Sequence, residues 1–119
     1  MNASPCEAAV RRLDDKTIID LRGDINRSAE AVLTSAYEEA TSGHTNDVIF
    51  NFSEVGYINS TGIAVIVGLL ARSVKEERTV KAYGLSEHYK EIFQITRLSD
   101  FMTILTDEGS AVGGTPMSA

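Results

Sequence analysis

The chain has one cysteine, Cys6, among 119 residues, so it forms no disulfide within itself. A domain of this length buries enough apolar surface to fold without covalent or metal staples, and a single thiol points to a reducing compartment. Positive charge is also scarce: eleven Lys and Arg against seventeen Asp and Glu leave a net charge of −6. That balance excludes the basic footprint of a direct nucleic-acid or anionic-lipid binder. The acidic surplus is spread out, and no run of five or six like charges marks a tail. Long hydrophobic runs are missing. The strongest, Ile63 to Leu70, is less than half the roughly 20 residues of a membrane span, and no apolar segment near Glu7 resembles a secretory signal. These absences lead us to expect a cytoplasmic protein without membrane insertion.

Catalytic and metal signatures are equally thin. His44 and His88 lie far apart, without cysteines or carboxylates at ligand spacing, which favours structural roles over a metal site. The chain contains no glycine-rich phosphate loop of the P-loop or Rossmann type. No acid, base and nucleophile converge in the pattern, so neither an enzyme nor a bound cofactor is expected.

What the chain does contain is an alternation of strand and helix signals. Residues Glu7 to Leu13 suit a first strand, Asp14-Asp15 a turn, and Lys16 to Arg22 a second strand bounded by Gly23. Ser28 is a candidate N-cap for a helix stopped at Gly43. Asn46-Asp47 leads into an apolar strand, Val48 to Phe52. A second helix follows Ser60, with Ile63, Ile66, Val67, Leu70 and Val74 as its expected core stripe. Thr79 to Tyr83 reads as a strand, Ser86 as the cap of a third helix facing inward through Leu85, Tyr89, Ile92 and Phe93, and Met102 to Leu105 as a last strand. The ordered core is expected over about residues 7–106, with Gly109 to Ala119 as a small, polar, flexible tail. Alternating elements of these lengths imply one α/β domain with a mixed sheet.

The most informative segment is Asn59-Ser60-Thr61-Gly62-Ile63, at the junction between an apolar strand and an apolar helix. A helix N-terminus offers free N–H groups and the positive end of the helix dipole, so it tolerates a phosphate. Read alone, Ser60 is an N-cap with Thr61 at the first helical position. A cap hydroxyl is also open to modification, and Thr61 is the second candidate acceptor. Beyond it, Ala64, Val65, Gly68 and Leu69 lie away from the expected core stripe. They form either a partner-binding patch or a surface covered by another element.

Three ordered segments, IIDLRGDIN, VIFNFSEVGYINSTGIAVIVGLL and VKAYGLSEHYKEIFQITRLSDFMTIL, resemble the STAS domains. The likeness is closest to the stand-alone anti-sigma factor antagonists of bacteria, whose phosphorylation loop has an Asp-Ser-Ser/Thr-Gly-Leu/Ile core. The resemblance implies a four- to five-stranded mixed sheet with helices packed mainly on one side. It also implies partner switching. The antagonist binds an anti-sigma factor serine kinase and frees a sigma factor, phosphorylation of Ser60 ends that binding, and a PP2C-type serine phosphatase restores it. The residues it marks for partner binding are Asp24, Asn26, Asn59, Ser60, Thr61 and Gly62, joined by Val65 and Leu69 on the helix. A homodimer is a further expectation from the apolar surface.

Two positions differ from the family pattern. Asn59 stands where an acid usually precedes the serine, and Asn26 replaces the second acid of a Gly-Glu-Leu-Asp loop, here Gly23-Asp24-Ile25-Asn26. If both loops share one surface, it carries two fewer negative charges. Amides cannot act as bases, but they can donate hydrogen bonds to phosphate oxygens. The exchange leaves a second reading open, a non-switching STAS adaptor such as a stressosome-like scaffold or a lipid-transport accessory subunit.

Overall fold

A computed structural model describes residues 5–13, 15–43 and 47–113. Asp14, His44, Asn46 and residues 114–119, to which the sequence assigns turn, structural and tail roles, lie outside these. The first two strands, β1 (Glu7–Leu13) and β2 (Lys16–Ile25), pair antiparallel from Glu7↔Arg22 to Leu13↔Lys16, the expected hairpin. Three more strands follow: β3 (Asp47–Ile58), β4 (Thr79–Tyr83) and β5 (Thr103–Leu105). They add in sequence order and in parallel, giving a five-stranded mixed sheet β1-β2-β3-β4-β5.

Each parallel step needs a crossover, and these are supplied by α1 (Glu30–Ala40), α2 (Ser60–Lys75) and α3 (Glu87–Ile95). Crossovers of one hand that advance in one direction along a sheet all fall on the same face. The main core accordingly joins Ile19 and Leu21 of β2, Val48, Phe50 and Phe52 of β3, and Val80 and Ala82 of β4 to Leu33, Ile66, Leu70 and Phe93 of the helices. Alternate strand residues point to the other face. There Ile18, Ile49 and Tyr83 pack against Ala111 of a short C-terminal helix, α4 (Glu108–Gly113). Strands covered on both faces lose the polar alternation, which is why segments such as Val48-Ile49-Phe50 are continuously apolar.

The helix α4 replaces the first part of the expected flexible tail, and Ala111 is fully buried. Local sequence hides this because the anchor is distant. Arg11 on β1 donates to Asp20 Oδ1 and to Glu108 Oε1, both at 2.9 Å, and the Tyr83 hydroxyl donates to Glu108 Oε1 at 2.8 Å. The Arg11 guanidinium holds the Asp20 and Glu108 carboxyls below their ordinary range, while burial pushes the Tyr83 phenol up to about 12.

Other boundaries also shift. The cap after β2 is Asn26, not Ser28: Asn26 Oδ1 accepts from the Ser28 N–H at 2.9 Å and opens a 3₁₀ turn, Arg27–Ala29, ahead of α1. β2 runs through Gly23, whose φ of 88° a glycine adopts without strain, to Ile25. β3 extends to Ile58 rather than ending at Phe52, because Val55, Tyr57 and Ile58 find partners in Gly23, Asp24 and Ile25. Ladder pairing rather than apolar pattern sustains that extension.

The core stripe of α2 is also rotated from the expected one. Gly62, Ile66, Leu69, Leu70 and Ser73 are buried, whereas Val67 and Val74 are 45% and 53% exposed. The cause lies at Gly62, where a Cβ would stand 2.0 Å from the Ile25 carbonyl oxygen. That approach sets the rotation of the helix, and Ile66, Leu69 and Leu70 then face Leu21, Leu33, Phe50 and Phe52 around one internal gap.

Candidate functional site

Parallel register brings the ends of β2 and β3 side by side, with Asp24 opposite Tyr57 and Ile25 opposite Ile58. The loop bearing Asn26 and the junction bearing Asn59 and Ser60 therefore share the carboxyl edge of the sheet. In open α/β sheets ligands are commonly received outside the carboxyl ends of the strands.

At the junction, Asn59 is the cap and Ser60 the first helical residue, a correction of one position to the sequence reading. Asn59 is extended (φ −94°, ψ −177°), and its Oδ1 accepts from the Gly62 N–H and from the Thr61 hydroxyl, both at 2.8 Å. The Asn59 N–H reaches the Ile25 carbonyl at 3.2 Å, which ties the junction to β2. The two candidate hydroxyls are thereby separated. Thr61 is half-buried with its hydroxyl committed to the cap, whereas Ser60 is exposed.

The other expected residues divide. Asp24 is half-buried, its Oδ1 3.2 Å from where a Cβ on Gly56 would stand. Asn26 caps its own turn, receiving the Ser28 hydroxyl at 2.6 Å as well as the N–H. Gly62 is buried on the side of α2 that faces Ile25, and Val65 is half-buried against the core. Leu69 is only 7% exposed, so its place on a partner surface is corrected: it belongs to the core. The exposed side of α2 is instead Ser60, Ala64, Val67, Gly68, Ala71 and Val74. Helical spacing makes them one stripe that starts at the serine.

Far from the junction, the end of α2 is locked. Glu76 accepts from the Tyr37 hydroxyl at 2.8 Å, from Arg72 Nε at 3.0 Å and from Arg78 Nε at 3.1 Å. The Arg72 guanidinium leads in holding the Glu76 carboxyl down to about 2. One supporting residue was invisible to sequence patterns. The Tyr89 hydroxyl of α3 accepts from the Ile58 N–H at 2.9 Å, although spacing marked Tyr89 only as part of an apolar face.

Among the described residues no group of His, Cys, Asp or Glu could hold a metal ion, and no helix is long and apolar enough to cross a membrane. The arrangement offers a hydroxyl, a neutral cap and an apolar helix stripe, which is the equipment of a binding surface.

Comparison with known proteins agrees with that geometry. A family model described as "Mlab, STAS domain" matches residues 8–106. An anti-sigma-B factor antagonist of Staphylococcus epidermidis is 34% identical over 83 residues, covering 70% of this chain and 71% of the relative. The crystal structure of an anti-sigma factor antagonist from Mycobacterium paratuberculosis superposes with a TM-score of 0.76 at 13% identity, over 92% of this chain and 93% of that one. The phosphorylated form of the Bacillus cell fate determinant SpoIIAA gives 0.68 at 17% identity, over 91% and 99%. With residues 8–106 matched by the family model and a relative 34% identical over 70% of its length, the chain belongs to the STAS domain family.

Proposed function

We propose that this chain is an anti-sigma factor antagonist that acts by reversible binding. In its unmodified form it docks on an anti-sigma factor that is a serine kinase, and a sigma factor is released. The kinase phosphorylates Ser60, the complex parts, and a PP2C-type phosphatase resets the protein. In this scheme the chain is a cytoplasmic substrate and docking face rather than an enzyme, and the kinase brings the nucleotide. The observation that carries the reading is the exposed Ser60 on the first turn of α2, beside a cap already satisfied by Asn59.

The switch follows from electrostatics. A phosphoserine carries about −1.5 to −2 charges near neutral pH. Burying it against a partner without a cation costs several kcal/mol, enough to dissolve a modest complex. In the free protein the positive end of α2 tolerates the same charge, so the fold persists while affinity falls.

The test is incubation with a cognate anti-sigma kinase and ATP, followed by intact mass. One phosphate should be gained by the wild-type protein and by Thr61→Ala, and none by Ser60→Ala. Ser60→Asp should lose the kinase complex. No phosphate uptake together with intact binding by Ser60→Asp sinks the proposal.

The second reading, a constitutive STAS adaptor, draws its support from the amides Asn26 and Asn59. It anticipates that Ser60→Asp still binds, and that capture from the native cell yields a scaffold or a transporter ATPase.

A further inference from the structure

We infer that Tyr89 is a positioning residue for the Ser60 junction, supplying from α3 the hydrogen-bonding edge that the sheet fails to supply there. β2 accompanies β3 to its end, through Ile25↔Ile58. On the other side β4 pairs only from Asp47↔Thr79 to Asn51↔Tyr83. Past Asn51, no strand among the described residues pairs with β3 on that side.

In an extended chain, the N–H and C=O of one residue point to the same side and those of its neighbour to the other. The Asn59 N–H points toward β2 and meets the Ile25 carbonyl at 3.2 Å. The N–H and C=O of Ile58 therefore point the other way, into the space that β4 has vacated. Ile58 is 5% exposed, and buried backbone groups without partners are costly. The Tyr89 hydroxyl meets both. It accepts from the Ile58 N–H at 2.9 Å and donates to the Ile58 carbonyl at 3.4 Å. A phenol suits the task because one oxygen is both donor and acceptor.

Tyr89 is itself held. Ser86 caps α3 by accepting the Tyr89 N–H at 3.3 Å, and the ring packs edge-on to His88 with centroids 4.8 Å apart. The residue that precedes the Asn59 cap is thus fixed from two sides, by β2 and by α3. Loss of the phenol oxygen leaves the ring in place and frees one side. Ser60 then has a wider range of positions before a kinase active site, which lowers turnover more than encounter.

This inference rests on the Ser60 reading for its functional part alone, so the experiment has two arms on the full-length protein. In Tyr89→Phe, amide exchange followed by NMR should show the Ile58 N–H exchanging about 3- to 10-fold faster, the effect of one lost hydrogen bond. The Asn59–Gly62 resonances should shift, while Ile18–Leu21 and Val48–Phe50 keep their rates and report an intact sheet. Phosphorylation by the anti-sigma kinase should show kcat reduced by a similar factor, with KM for the antagonist unchanged. Unchanged Ile58 exchange overturns the assignment, and so does altered exchange with unaltered kcat. In the wild-type protein the Ile58 N–H must be protected although no strand among the described residues faces it, and coil-like exchange there overturns the assignment even if the variant does not fold. A wild-type protein that takes up no phosphate refutes the Ser60 reading, and the exchange arm then decides the role of Tyr89 by itself.

Discussion

The side-chain carbonyl of Asn59 accepts the Gly62 backbone N–H at 2.8 Å and closes the first turn of α2 around the exposed Ser60. The cap is neutral. An aspartate there would make the same bond and add a negative charge one residue from the proposed phosphate. Asn59→Ala should therefore lower stability by about 1 kcal/mol through the lost cap, read by urea denaturation. Asn59→Asp should leave stability near wild type but raise the second pKa of a Ser60 phosphate above its usual value of about 6, followed by phosphorus NMR. Equal phosphate pKa values in the two proteins would show that the cap charge does not reach Ser60.

Gly62 admits no side chain. A Cβ there would stand 2.0 Å from the Ile25 oxygen and 2.7 Å from its carbonyl carbon, both backbone atoms that cannot rotate away. Gly62→Ala should cost upward of about 2 kcal/mol by forced backbone displacement. Gly68 has open space around its missing Cβ, so Gly68→Ala should stabilise α2 by up to about 1 kcal/mol. Thermal unfolding of the pair measures both signs.

The rotation of α2 is tested by two aliphatic positions on either side of Gly68. Leu69→Ala empties a core site and should cost about 2–5 kcal/mol. Val67→Ala, on the exposed stripe, should stay within about 0.5 kcal/mol of wild type. The reverse ranking in denaturant midpoints would restore the stripe expected from the sequence.

Acid should weaken the Tyr37–Glu76–Arg72–Arg78 cluster. Glu76 titrates at about 2 in the folded protein against an ordinary 4.5. Its stabilising contribution is therefore complete above pH 4.5 and lost as pH falls toward 2. The carboxylate is 31% exposed, so the effect is modest and screened by salt. Glu76→Gln should lower the Tm at pH 6 and flatten its fall between pH 5 and pH 2, most clearly at low ionic strength. A parallel acid profile in the variant would remove Glu76 from the account.

Much of the fold was legible along the chain. The hairpin, the alternation from β2 to β5 and the Ser86 cap of α3 each depend on neighbours a few residues apart, and each appears as read. The junction at residues 59–63 was equally visible, since Ser-Thr-Gly between two apolar segments marks where a strand gives way to a helix. Displaced features had distant causes. Asn26 rather than Ser28 became the cap because the chain leaves β2 only after Ile25 has paired with Ile58. The segment 109–113, rich in glycine and other small residues, became helix because Arg11 and Tyr83 hold Glu108.

Local period, turn chemistry and residue type are enough to make this an α/β domain with a serine at the mouth of its second helix. Which hydroxyl faces outward, which side of α2 is buried and what steadies the junction depend on how distant segments pack. The Ile25 carbonyl under Gly62 sets the helix rotation, and the early end of β4 leaves Ile58 to Tyr89. Both are contacts between segments more than thirty residues apart, and no local pattern encodes them.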